Sequence, residues 1–176
     1  MKRATLIKIH LYLSAVFAPF IFLMSITGTS YLLGYKGDVT KEVIQTVASE
    51  QTSLTEEYVR EELKKIDPNY SFEYLKGAGK SVFTRPTTRT YYEVNIVDTG
   101  VQITKVKPNF LRAIIEVHKG HGPGLLKTVE KVFGVALLLI LISGMWLALT
   151  IKRDKNITLI LTAIGGVVLL GLFLIL

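Results

Sequence analysis

Cysteine is absent from the sequence. That excludes disulfides, thiolate metal sites, iron–sulfur clusters and covalent haem attachment through C-x-x-C-H, so any metal must be held by nitrogen or oxygen. No glycine-rich nucleotide-binding loop occurs, so an electron or group donor such as a quinol or a flavin would have to bind without a short motif. Histidine is nearly absent too: His10, His118 and His121 are the three. With no histidine between His10 and His118, the long polar middle of the chain offers no nucleophile-and-base pair.

Acidic residues are outnumbered, giving a net charge of +7, but the location of the excess decides its meaning. From Gly34 to His121 there are 13 Lys and Arg against 12 Asp and Glu, so that segment is close to neutral and no nucleic-acid surface is indicated. The surplus sits at Lys2, Arg3 and Lys8 and again at Lys152, Arg153 and Lys155. Those two clusters flank apolar blocks in the positive-inside arrangement.

The blocks are Leu11 to Leu33, Val132 to Ile151 and Ile157 to Leu176, each free of charged side chains. About 20 such residues span the roughly 30 Å hydrocarbon core, so three transmembrane helices are expected. The first is too long for a signal-peptide core and no A-x-A-like site follows it, which favours an uncleaved anchor. With both basic clusters inside, the N-terminus is expected to be cytoplasmic, and residues 34–121 and the C-terminus on the outer side.

The polar segment changes from helical to strand-like. "SLTEEYVREELKKIDPNY" has Ser53 or Thr55 as N-cap, acids in its first turn, lysines in its last and a stop at Asp67-Pro68. Its glutamates Glu56, Glu57, Glu61 and Glu62 read as a solvated face. "SFEYLKG", "KSVFTRP" and "TYYEVNIVDTGVQITKVKP" alternate β-branched and aromatic residues, with Asp98-Thr99-Gly100 as a hairpin turn. One helix on a small antiparallel sheet follows, in a domain small enough to lean on the membrane part or on a second copy. "FLRAIIEVHKG" then reads as a short amphipathic helix closed by Gly120, and Pro123 suits the first turn of the next helix.

The histidines therefore bracket the apolar region: His10 at the cytoplasmic end, His118 and His121 at a helix-to-helix corner on the other face. An imidazole at a membrane interface can be no more than an amphipathic side chain with its tip in water. Its restriction to these positions points further, because neutral imidazole ligates haem iron, and intramembrane b-type haems are held by histidines from facing helices. One inner and one outer histidine supply half the ligands of two bis-histidine haems, and a twofold dimer supplies the rest.

"SITGTSYLL" and "LISGMWLAL" share I-[ST]-G, placing Gly28 and Gly144 where a small residue leaves room for a macrocycle edge or for close helix packing. Lys119, Lys127 and Lys131 near the outer histidines favour anions, such as haem propionates or an anionic iron chelate, or snorkel at the interface.

His10, Thr27-Gly28, the Ser53 to Lys107 region and Val117-His118-Lys119-Gly120, in that order, resemble the PepSY-associated transmembrane family, and within it the half-size VciB-like ferric reductases. The resemblance implies a fold of three transmembrane helices with a small α+β PepSY-like extracytoplasmic domain. The divisions are 1–33 for the N-terminus and first span, 34–120 for the outer domain, and 121–176 for the second and third spans. It also implies a place in a bacterial inner membrane, with residues 34–121 and the C-terminus periplasmic, and electron transfer to ferric iron or a ferric siderophore there, through haem b, in support of iron uptake. His10 and His118 are the expected ligands, His121 the alternate or second outer one, and Gly28 and Gly144 border the cofactor. The third span carries no histidine, so a homodimer completes any two-haem arrangement, with one or two haems per dimer. Two other readings stand beside this: a membrane-anchored PepSY binding or regulatory module without redox activity, and haem-free metal capture by Glu116, His118 and His121.

Overall fold

The computed structural model describes residues 3–175; Lys2 of the N-terminal basic cluster and Leu176 at the end of the third apolar block lie outside the described residues. In chain order these form α1 (Arg3–Leu32), β1 (Val39–Val47), α2 (Glu56–Ile66), β2 (Tyr74–Ala78), β3 (Ser81–Arg85), β4 (Tyr91–Val97), β5 (Gly100–Pro108), α3 (Phe110–His118), α4 (Gly124–Leu149) and α5 (Lys155–Ile175). Of these, α1, α4 and α5 are long and apolar enough to cross a membrane. Each of α1 and α4 begins well before its apolar block, so α1 includes Arg3, Lys8 and His10. The edge of an apolar block marks where charge stops, whereas helix persists through good helix formers such as Lys and Glu.

The chain divides into two compact units. One holds the described residues up to Ile21 together with those from Lys131 onward; the other is Phe22–Glu130. In the first, Phe133, Ala136 and Ser143 on α4 are buried, and Phe17 and Phe20 of α1 meet Phe133 at ring-centroid distances of 6.1 and 5.7 Å. The buried positions of α4 recur at helical spacing, which gives it one face turned to α1. Thr162 Oγ1 of α5 donates to Met145 Sδ of α4 at 3.7 Å.

In the second unit the five strands form one antiparallel sheet in the order β1-β5-β4-β3-β2. Val59 and Leu63 of α2 lie one turn apart and are buried with Val82, Tyr92, Val94, Val101 and Ile103. Because strand side chains alternate, those sheet residues share one face. Tyr91, Thr104 and Val106 have the opposite parity and are buried too; this second face meets α3, which contacts β5. Thr55 caps α2, its hydroxyl accepting from the Tyr58 N–H, and Asp67 ends it. The acidic face of α2 is not wholly solvated, since Glu62 is buried and pairs with Lys65.

Strand β1 carries no sequence-level expectation. Its pairing with β5 slips between Val43 and Gln45, so Ile44 forms an irregularity that breaks the two-residue period. It is also mostly exposed, which removes the apolar/polar contrast that marks a half-buried strand.

Leu63, 2% exposed, anchors α2, and Leu63→Ala is expected to cost about 2–5 kcal/mol. The readout is the thermal unfolding of detergent-solubilised protein, with exposed Lys64→Ala as the control expected to stay within about 0.5 kcal/mol.

Candidate functional site

Two of the three histidines occupy equivalent settings built from the shared I-[ST]-G triplets. In the first unit, His10 Nδ1 lies 2.9 Å from Ser143 Oγ. In the second, His118 Nδ1 lies 3.0 Å from Thr27 Oγ1, a hydroxyl with no exposure. Each hydroxyl also reaches a backbone carbonyl of its own helix: Ser143 Oγ donates to Ile140 O at 3.1 Å and Thr27 Oγ1 to Leu23 O at 2.7 Å. A hydroxyl has one proton, and each of these has both a carbonyl of its own helix and an imidazole within reach. Where the back-bond takes that proton, the remaining lone pairs accept from Nδ1–H, and in that tautomer Nε2 is the nitrogen with a lone pair.

The glycine of each triplet makes room for the ring. A Cβ on Gly28 would stand 3.2 Å from His118 Cε1, and one on Gly144 would stand 3.1 Å from His10 Cε1. The space these glycines leave is thus occupied by imidazole edges. Apolar recesses lie alongside. One of about 360 Å³ is lined by Leu6, Ile9, Leu13, Leu139, Ile142 and Trp146, with Ser143 at its wall. The other, about 330 Å³, is lined by Gly28, Tyr31, Leu32, Ile115, His118 and Lys119.

His121 is placed differently. Helix α3 ends in a Schellman turn: Gly120, at φ +70°, donates its N–H to Val117 O, and His121 donates its N–H to Glu116 O. The turn folds the His121 side chain onto Glu116, Nδ1 to Oε2 at 2.6 Å, and away from the recess that His118 lines. Glu116, only 3% exposed, is the hub of the second face. Its Oε1 takes Lys119 Nζ at 2.9 Å and Arg112 Nη2 at 3.2 Å. Its Oε2 takes Thr87 Oγ1 at 2.7 Å and Arg85 Nη1 at 3.5 Å, besides His121. Burial works to raise the Glu116 pKa, but hydrogen bonds from Lys119, Thr87 and His121 outweigh it and bring it from 4.5 down to about 2. Burial likewise lowers His121 below its ordinary 6.5, against the pull of Glu116 and with Arg85 and Lys119 adding to the effect.

The structure therefore joins Gly28 with His118 and Gly144 with His10, and assigns Glu116 and His121 to a separate cluster. Among the described residues no group of three or more His, Asp or Glu side chains is gathered to hold a metal ion. Sequence reasoning missed Thr27 and Ser143 as partners of the imidazoles and Glu116 as a hub. The repeated triplet carried the first signal; for the second, the i,i+4 spacing of Arg112 and Glu116 and the i,i+3 spacing of Glu116 and Lys119 carried part of one, whereas Arg85 and Thr87 meet Glu116 only through the tertiary fold.

A chemical fit to haem can be judged from the donor set alone. A neutral imidazole with an unprotonated Nε2, oriented by a second hydrogen bond and bordered by an apolar recess, is what axial ligation requires. His118 lines one recess, and Ser143, the hydrogen-bond partner of His10, lines the other, so each site offers one imidazole per chain.

Thr27→Val removes the acceptor and leaves Nδ1–H unpaired. The expected loss is about 1 kcal/mol, between the roughly 0.6 typical of hydrogen bonds linking membrane helices and the 1–3 of an orphaned buried donor. Thermal unfolding checks it, with Thr27→Ser expected to retain stability. The acid side is set by the hub. A depressed folded-state pKa gives stability that is present above the unfolded value and lost as pH falls toward the folded one. Stability should thus drop below 6.5 as His121 protonates and again from 4.5 toward about 2 as Glu116 does. In Glu116→Gln the lower step should vanish from melts recorded against pH.

Comparison with curated proteins and with solved structures returned no match. The family described as the PepSY-associated TM region matches residues 7–176. With three candidate membrane-spanning helices and a small helix-and-sheet domain between the first two, the chain belongs to the PepSY-associated TM region family.

Proposed function

We propose that this protein carries electrons across a bacterial inner membrane to ferric iron or a ferric chelate on the periplasmic side, in support of iron uptake. In this reading His10 near the cytoplasmic end and His118 near the periplasmic end ligate b-type haem through Nε2. A second copy of the chain supplies the opposite imidazole at each level, so the active species is a homodimer. The basic clusters around the first helix and between the second and third orient the N-terminus inward.

The observation that carries the reading is the duplicated hydroxyl–imidazole pair, His10 with Ser143 and His118 with Thr27. Structural histidines need only some hydrogen-bond partner. These two share one kind of partner, a helix hydroxyl at Nδ1, which suits the tautomer that leaves Nε2 for a ligand; His118 lines one apolar recess and Ser143, the partner of His10, lines the other. A b-type haem supplies, when bound, a one-electron carrier whose potential follows its axial ligands and their hydrogen bonds. Ser143 and Thr27 then set ring orientation and ligand basicity, while Ile9, Leu13 and Leu139 on one side and Ile115 and Leu32 on the other keep water away. His121 is a member of the Glu116 cluster in this reading and orients charge, with His118 as the outer ligand. Haem-free capture by Glu116, His118 and His121 loses its carboxylate, because both Glu116 oxygens are taken by Arg112, Lys119, Thr87 and His121.

Purified protein should show the reduced bands of haem b and a positive pyridine haemochrome. His10→Ala and His118→Ala should each lose haem, and His121→Ala should keep it. A folded, colourless wild-type protein would overturn the proposal in favour of an anchored PepSY binding module.

A further inference from the structure

The Glu116 cluster holds more positive charge than its fold requires. Arg85, Arg112 and Lys119 all stand within 3.5 Å of one carboxylate. The other acid on the same wall, Glu93, is matched by Lys41 at 2.6 Å. Three fixed cations against one carboxylate leave two charges without a counter-ion, in a cleft of about 240 Å³ that they line together. Donors also exceed acceptors. Arg85 is 5% exposed, and its Nη1 goes to Thr87 Oγ1 and Glu116. Its buried Nε has no partner among the described residues. An orphaned guanidinium N–H is costly and rare in a folded protein, and marks a place where an acceptor is expected. The wall carries further groups suited to an oxygen-rich guest, namely Tyr91 and the Arg112 fork, whose side chain is 29% exposed.

We propose that this cleft is a binding site for a small oxyanion, a carboxylate or phosphate group, held by Arg112 and Lys119 at its mouth with Arg85 behind them. Lys119 lines this cleft and also the recess of His118. An anion held by Lys119 sits beside the residue that follows His118 in the chain, which is the place to receive an electron acceptor that carries carboxylates. The binding site stands on its own geometry; its service to an electron acceptor rests on the proposed function.

The test uses full-length protein in nanodiscs of zwitterionic lipid and isothermal titration with citrate, with inorganic phosphate and with the redox-inert gallium(III) citrate. Saturable binding is expected, and Arg112→Gln and Lys119→Gln should each weaken it about tenfold or more, the loss of one charge-assisted hydrogen bond. Both residues are partly exposed, and unchanged thermal midpoints establish that the variants fold. Should one variant fail to fold, the wild-type affinity must still fall steeply with added salt. The tighter of citrate and phosphate identifies the group. Repeating the titration with an anionic lipid in the disc separates the sources, since unchanged citrate affinity supports a dissolved ligand and displacement assigns the site to a lipid phosphate. No saturation by any probe, or binding indifferent to both substitutions, overturns the site. Because gallium citrate binds without electron transfer, a colourless protein that binds it would contradict the redox reading and leave the anion site in place.

Discussion

A hydroxyl whose proton is committed to its own helix can only accept, and this constraint organises both imidazole sites. Ser143 and Thr27 back-bond to carbonyls one turn earlier and present lone pairs to His10 and His118. The glycine that follows each removes the side chain that would otherwise meet the ring. Hydroxyl and glycine are consecutive, so a three-residue triplet delivers orientation and space at once. Serine or threonine in a helix interior is mildly unfavourable in water. Here that cost is offset by fixing an imidazole where few other polar partners exist.

The domain between the first two long helices acts on the second site through α3. Its sheet carries α2 on one face and meets α3 with the other, and the buried Glu116 ties α3 to β3 through Arg85 and to the following segment through Thr87. A buried carboxylate is tolerable only when paired and hydrogen-bonded, and this one is. Arg112 on α3 and Lys119 at its C-cap also pair with that carboxylate, which lies between Ile115 and His118 in the helix. The domain thereby sets the helix from which His118 projects. Glu73 accepts the N–H of Gly124 at 2.7 Å, which caps the start of α4 and adds a carboxylate where the helix dipole favours one.

Much of this was legible without coordinates. Uncharged runs disclosed the three long helices, and the caps and stop around Thr55 and Asp67-Pro68 disclosed α2. Gly120 and Pro123 disclosed the corner between α3 and α4. The repeated I-[ST]-G triplet was visible, but its partners were not: the glycines read as room for a guest or for close helix packing, and a histidine distant in sequence lies against each of them. His118 and His121 looked interchangeable because they are three residues apart. A Schellman turn sends one toward Thr27 and the other onto Glu116, and that divergence depends on backbone geometry that spacing does not encode. The edge strand β1 went unseen because Ile44 breaks its alternation.

The central claim is that Ser143 and Thr27 accept from Nδ1–H of His10 and His118, which leaves the Nε2 of each ring free for the proposed ligand. Nitrogen-15 NMR of histidine-labelled, haem-free protein near neutral pH tests it most directly. The account predicts the proton on Nδ1 and a bare Nε2 in both His10 and His118. Rings protonated on Nε2, with Nδ1 accepting from Ser143 and Thr27, would contradict it.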